Sequence, residues 1–103
     1  MIFKEICKDE NIKTEEMPDN LKDVGFKYGL SMMSKDIGKR IVLDSDNDKW
    51  QAVLTAYHEL AHLLFGHLKD GCALSNEQKE HEAQTFSCVF TALILFEKYK
   101  KYL

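Results

Sequence analysis

Ala56-Tyr57-His58-Glu59-Leu60-Ala61-His62-Leu63-Leu64-Phe65-Gly66-His67 combines helical periodicity with two histidines four residues apart. At about 100° per residue, positions i and i+4 share one helix face, so the imidazoles of His58 and His62 can reach a single ion. Glu59, next to the first of them, falls beside such an ion, where a carboxylate can accept a proton from an attacking water. With only 4 His in 103 residues, roughly one shuffled chain in a hundred would contain this five-residue pattern. The surroundings strengthen it. Trp50, Val53, Leu54, Tyr57, Leu60, Ala61, Leu64, Phe65 and Leu68 recur at helical spacing, with no Pro or Gly between 49 and 65. Asp46, Asn47 and Asp48 offer N-caps, and Gly66 or Gly71 can close the helix, expected over about 48–68.

A tetrahedral zinc site of the catalytic kind takes three protein ligands and leaves the fourth position open. His67 is the nearest candidate, but five residues beyond His62 it lies about 140° off the ligand face of a straight helix. The metzincin pattern would need Gly at 65 and His at 68, where this chain has Phe65 and Leu68. His67 therefore reads as a C-terminal histidine favoured by the helix dipole. The following segment offers more. Ser75 with Gln78 forms a capping box, opening a second helix over about 75–99. Its first turns carry Glu77, Glu80, His81 and Glu82, and Glu80 shares a face with Ala83, Gln84 and Ser87. Glu80 can thus face the first helix, with Gln84 one turn on as support; Glu82 is the alternative ligand.

The remaining chain is short of other signals. Residues 2–10 read as a short helix with Ile2, Phe3, Ile6 and Cys7 on one face. The single proline, in Met17-Pro18-Asp19-Asn20, marks a break. Residues 25–33 and 40–44 read as strands joined by Ser34-Lys35-Asp36-Ile37-Gly38, a hairpin spanning about 25–44. The expected fold class is α+β in one domain, 1–103, with a small antiparallel sheet packed on the two site helices. Hydrophobic content of 45%, charged content of 30% and a net charge of −3 suit an ordinary soluble domain. The Lys98, Lys100, Lys101 cluster reads as a solvated tail, so no direct nucleic-acid binding is expected. Three cysteines without metal-type spacing, and no signal-like or membrane-length apolar run, point to a reduced, cytoplasmic setting. Cys88 lies in an apolar helix and reads as core, while Cys72 sits in a loop.

The 56–67 stretch, followed by Glu80-His81-Glu82-Ala83-Gln84-Thr85-Phe86-Ser87, resembles the ImmA/IrrE family of metallopeptidases, and Ile41-Val42-Leu43-Asp44 is similar to the strand before that family's site helix. The resemblance covers about residues 11–93. Gln84 stands where the family has Asn or Asp, Ser87 where it has Ala, and the family's proline after the second helix is absent. It implies His58, His62 and Glu80 as ligands of one Zn2+, Glu59 as the general base or acid, and segment 25–33 as the strand that holds an extended substrate. For the oxyanion, Tyr57, His67, His81 and Tyr28 are all candidates. It also implies a narrow-specificity zinc endopeptidase acting on a regulatory protein, such as the repressor of a mobile element; the small size fits a partner-directed role. The alternative is a metal-binding, non-catalytic regulatory module of the same fold.

Overall fold

Ile41 and Val42 are almost wholly out of solvent, at 0% and 2% exposure, because they lie on the middle strand of a three-stranded sheet. The computed structural model describes residues 2–23 and 28–102. Over these the chain runs α1 (Ile2–Asp9), β1 (Ile12–Glu16), α2 (Asp19–Asp23), β2 (Gly29–Ser34), β3 (Gly38–Leu43), α3 (Lys49–Leu64), α4 (Asn76–Tyr99) and a 3-10 turn (Lys100–Tyr102). The class is α+β, as expected.

The sheet corrects one expectation. The hairpin of β2 and β3 is antiparallel, from Gly29 opposite Leu43 to Ser34 opposite Gly38. β1, however, adds to β3 in parallel, with Ile12 opposite Lys39 and Glu16 opposite Leu43, so the sheet is mixed. Its order is β1-β3-β2. β1 (Ile-Lys-Thr-Glu-Glu) buries only Ile12, so it lacks the alternation by which a half-buried strand is recognised. The expected strand began at residue 25; the observed one begins at Gly29, and residues 25–27 lie outside the described part. Pro18 also does more than interrupt the chain. It opens the five-residue α2, accepting bonds from the amides of Leu21 and Lys22.

Gly29 is where β2 comes closest to its neighbours. A Cβ there would stand 2.7 Å from the Val42 carbonyl oxygen and 2.9 Å from Thr55 Cγ2. Tyr28, just before it, accepts from the Asp44 amide at 2.9 Å and Asn47 Nδ2 at 3.1 Å. These bonds tie the start of β2 to the loop that leads into α3.

α3 packs on β2 and β3 with one face and on α4 with another. It starts where the Asp48 side chain accepts from the Gln51 amide at 2.9 Å. The core gathers Phe3, Cys7, Ile12, Ile41, Ala56, Tyr57, Leu60 and Leu63, with Phe86, Phe90 and Ile94 packed against it from α4. Tyr57 is its centre, stacked on Phe90 at 5.1 Å and edge-on to Phe3 at 5.5 Å. α4 starts at the Ser75–Gln78 capping box, as its sequence predicts. It faces α3 with Ala83, Ser87 and Thr91, small residues one turn apart that let the two backbones approach. Ser87 Oγ donates to the Leu54 carbonyl at 2.5 Å.

Among the described residues only one α4 face is covered in this way, and that overturns the expectation for Cys88, which is exposed; Cys7 is the buried cysteine. Burial pushes the Cys7 thiol above its ordinary pKa. A raised pKa means less thiolate at a given pH, so alkylation at pH 8 should modify Cys88 first and leave Cys7 largely intact. Raising the pH should bring Cys7 into reaction. Peptide mapping by mass spectrometry reads the order, and early modification of Cys7 would contradict this packing.

Candidate metal centre

His58 and His62 project from the same side of α3, and their Nε2 atoms lie 3.3 Å apart. Glu80, from the second turn of α4, reaches both. Its Oε2 is 2.9 Å from His58 Nε2 and its Oε1 is 3.0 Å from His62 Nε2. The α4 start, set by the Ser75 cap, therefore delivers this carboxylate to the ring nitrogens.

The other ring nitrogens are held as well. His58 Nδ1 is 3.2 Å from Gln84 Oε1, whose amide nitrogen donates to Cys88 Sγ at 3.6 Å. An amide oxygen only accepts, so His58 carries its proton on Nδ1. His62 Nδ1 is 2.9 Å from His67 Nδ1, and His67 Nε2 is 2.7 Å from Glu82 Oε1. With Glu82 accepting from His67 Nε2–H, His67 Nδ1 accepts in turn from His62 Nδ1–H. Burial is also the main cause holding His62 below the usual histidine pKa. With the protons on Nδ1, each Nε2 would present its lone pair to the same spot, next to the Glu80 carboxylate.

Three electron-rich groups facing one another repel unless a cation lies between them. Two nitrogens each 2.0–2.1 Å from one ion at the tetrahedral angle would stand about 3.3–3.4 Å apart. The observed 3.3 Å fits that spacing, and two imidazoles with one carboxylate suit a divalent ion of the zinc type.

His67 holds a position that a straight helix would not provide. α3 ends at Leu64, short of the expected 68, because Gly66 takes φ +70° and reverses the chain. The Gly66 amide then bonds the Leu63 carbonyl at 3.4 Å, and the His67 amide bonds the His62 carbonyl at 3.0 Å. These two bonds form a Schellman motif, which folds His67 back beneath His62. His67 is no dipole-stabilised surface residue: its side chain has no exposure. Glu82, the alternative ligand, instead pairs with His67. Gly66 was the sequence signal for this arrangement.

Glu59 is buried at 8% exposure and lines the same cleft. Burial raises its carboxyl above the ordinary carboxylate pKa and the Glu80 charge adds to the rise, while a 3.4 Å bond from Ser31 Oγ opposes it. The cleft has a volume of about 860 Å³ and runs between β2, α3 and the start of α4. Tyr28, Leu30, Ser31, Leu54, Leu68 and Lys79 are among its walls. Of the four oxyanion candidates, Tyr28 lines the cleft freely and His67 lines it while bonded to His62 and Glu82. Tyr57 is buried in the core, and His81 opens onto a separate groove on the far side of α4. Among the described residues, the cysteines take no part in the His-His-Glu cluster.

Gly66→Ala should place a Cβ in the left-handed region, at a cost of about 1–2 kcal/mol. Urea denaturation should show that loss, and imidazole nitrogen NMR should show the His62–His67 bond broken. Wild-type stability in this variant would rule out the turn.

The sequence profile of the peptidase M78 family, described as the IrrE N-terminal-like domain, matches residues 7–98. Neither curated proteins nor solved structures gave a match. Among the described residues, no helix is long and apolar enough to cross a membrane. Matched over most of its length, and with two imidazoles and a carboxylate gathered at one point, this chain belongs to the peptidase M78 family, whose fold is metallopeptidase-like.

Proposed function

We propose that the chain is a zinc-dependent endopeptidase of narrow specificity, acting in the cytoplasm on a regulatory protein such as the repressor of a mobile element. One observation carries this reading: His58, His62 and Glu80 converge within 4.8 Å of one another, with the Glu59 carboxyl in the same cleft. The three converging residues would hold the ion. When bound, zinc polarises a peptide carbonyl and makes water at the site more acidic.

Glu59 moves the protons. Its carboxylate takes one from the attacking water and returns it to the leaving nitrogen. The Ser31 hydroxyl keeps that carboxylate turned toward β2. β2 is an edge of the sheet, with Gly29, Leu30 and Ser31 along the cleft, so an extended peptide can add to it as a further strand. Tyr28, at the head of that edge and lining the cleft, would donate its phenol to the developing oxyanion. Gln84 and the His67–Glu82 pair hold the two imidazoles in their ligand tautomers.

Glu59→Gln should keep the metal and lose cleavage of the partner protein, a drop of about 10²-fold or more. Full cleavage or full biological effect in that variant would favour a non-catalytic module. A second set of variants tests the ion's holders. Glu80→Ala should bring zinc below one ion per chain by elemental analysis. His67→Ala and Glu82→Ala should retain it with affinity lowered about 10- to 100-fold. If Glu82→Ala empties the site and Glu80→Ala does not, the assignment of Glu80 is wrong.

A further inference from the structure

The two ends of the cleft differ in chemistry, and the packing around α3 fixes which residues stand at each. A Cβ on Gly29 would lie 2.9 Å from Thr55 Cγ2, and Ser31 Oγ bonds Glu59 at 3.4 Å. Two strand residues advance about 6.6 Å and four helical residues about 6 Å, so β2 and α3 run side by side in the same direction. α4 runs the other way: Glu80 meets His58 and His62, whereas Ser87, further along, meets Leu54. Residues before Glu80 on α4 therefore lie past His62. One end of the cleft, level with Thr55, has Tyr28, Gln51 and Leu54 in its walls; the other has Leu68, Asn76 and Lys79.

Among the described residues that line the cleft, Lys79 is the one lysine or arginine. It is half-buried there, one helical turn before the fully covered Ala83. Its amide bonds the Ser75 carbonyl at 3.0 Å, which sets it in the capped first turn of α4. Lys22, by contrast, has its ammonium held by Asp44 and Asp46. Among the described residues Lys79 has no carboxylate partner: Glu80 is taken by His58 and His62, and Glu82 by His67. With Glu59 and Glu80 offset by a divalent ion, this ammonium decides the sign of the cleft, in a chain whose net charge is −3.

We propose that Lys79 makes the cleft select peptides carrying an Asp or Glu side chain on the Leu68 side of the bond that faces the His-His-Glu cluster. The inference rests on the peptidase assignment of the cleft, because it needs an extended peptide laid along β2. Such a peptide runs along the α3 axis from one end of the cleft to the other, so its side chains on one flank pass Lys79. A lysine ammonium is a point charge on a flexible stem, which suits a carboxylate at either Asp or Glu length. Asn76, three residues earlier on the same helix face, adds an amide donor at that end.

The test reads binding, so it does not depend on hydrolysis. Zinc-loaded Glu59→Gln protein is immobilised and offered a synthetic library of acetylated, amidated decapeptides, and the retained peptides are sequenced by mass spectrometry. Asp and Glu should be enriched about two- to fivefold among them. Adding Lys79→Gln should abolish that enrichment, and adding Lys79→Glu should turn it toward Lys and Arg, with the helical circular dichroism unchanged in both. If this pattern holds but the wild-type chain cuts none of the retained peptides, the endopeptidase assignment fails and the role of Lys79 stands. Retained peptides without acidic enrichment, an enrichment that survives Lys79→Glu, retention only of peptides with a free C-terminal carboxylate, or no retention at all would overturn the proposal, even where the wild-type chain cleaves.

Discussion

Everything about the site depends on which nitrogen of each histidine carries the proton. Two imidazoles one helical turn apart are common enough; two whose Nε2 lone pairs are aimed at one point are not, because a free ring turns and takes either tautomer. Here neither ring is free. Gln84 holds His58 by Nδ1 at 3.2 Å, and His67, backed by Glu82, holds His62 by Nδ1 at 2.9 Å. In those tautomers the two lone pairs would face the Glu80 carboxylate, an arrangement that a cation between them would stabilise.

The fold meets that demand with few parts. α3 supplies both rings and the neighbouring Glu59. α4 supplies Glu80, Glu82 and Gln84 within its first nine residues. Ala83, Ser87 and Thr91 keep α4 close enough to α3 for those short reaches to succeed. The Schellman turn at Gly66 supplies the buried His67, whose polar atoms are both bonded, as a fully buried imidazole requires. The sheet serves a different purpose. β2, pinned at Tyr28 by the loop before α3 and pressed on Thr55 at Gly29, sets a sheet edge, unpaired among the described residues, beside the His-His-Glu cluster.

Much of this was legible in the residues. The five-residue motif at 58–62, the caps at Asp48 and Ser75, and the face shared by Glu80 and Gln84 are local patterns with helical spacing, and local patterns survive folding. β1 was illegible because Lys-Thr-Glu-Glu has no apolar alternation; parallel pairing with β3 makes it a strand. His67 was misread because the rotation was counted along a straight helix, although Gly66 was already marked as a place where it could end. Cys88 was misplaced because a helix apolar on two sides does not declare which of them faces inward. The roles of Glu59 and Glu80 came from the family resemblance as much as from spacing, and the structure adds the distances through which those roles would act.

X-ray absorption at the zinc edge, on protein loaded with one equivalent, addresses the central claim most directly. Two imidazole nitrogens and a carboxylate oxygen at about 2.0–2.2 Å are expected, with their multiple-scattering signature. A sulfur shell near 2.3 Å, or a first shell with a single imidazole, would contradict it.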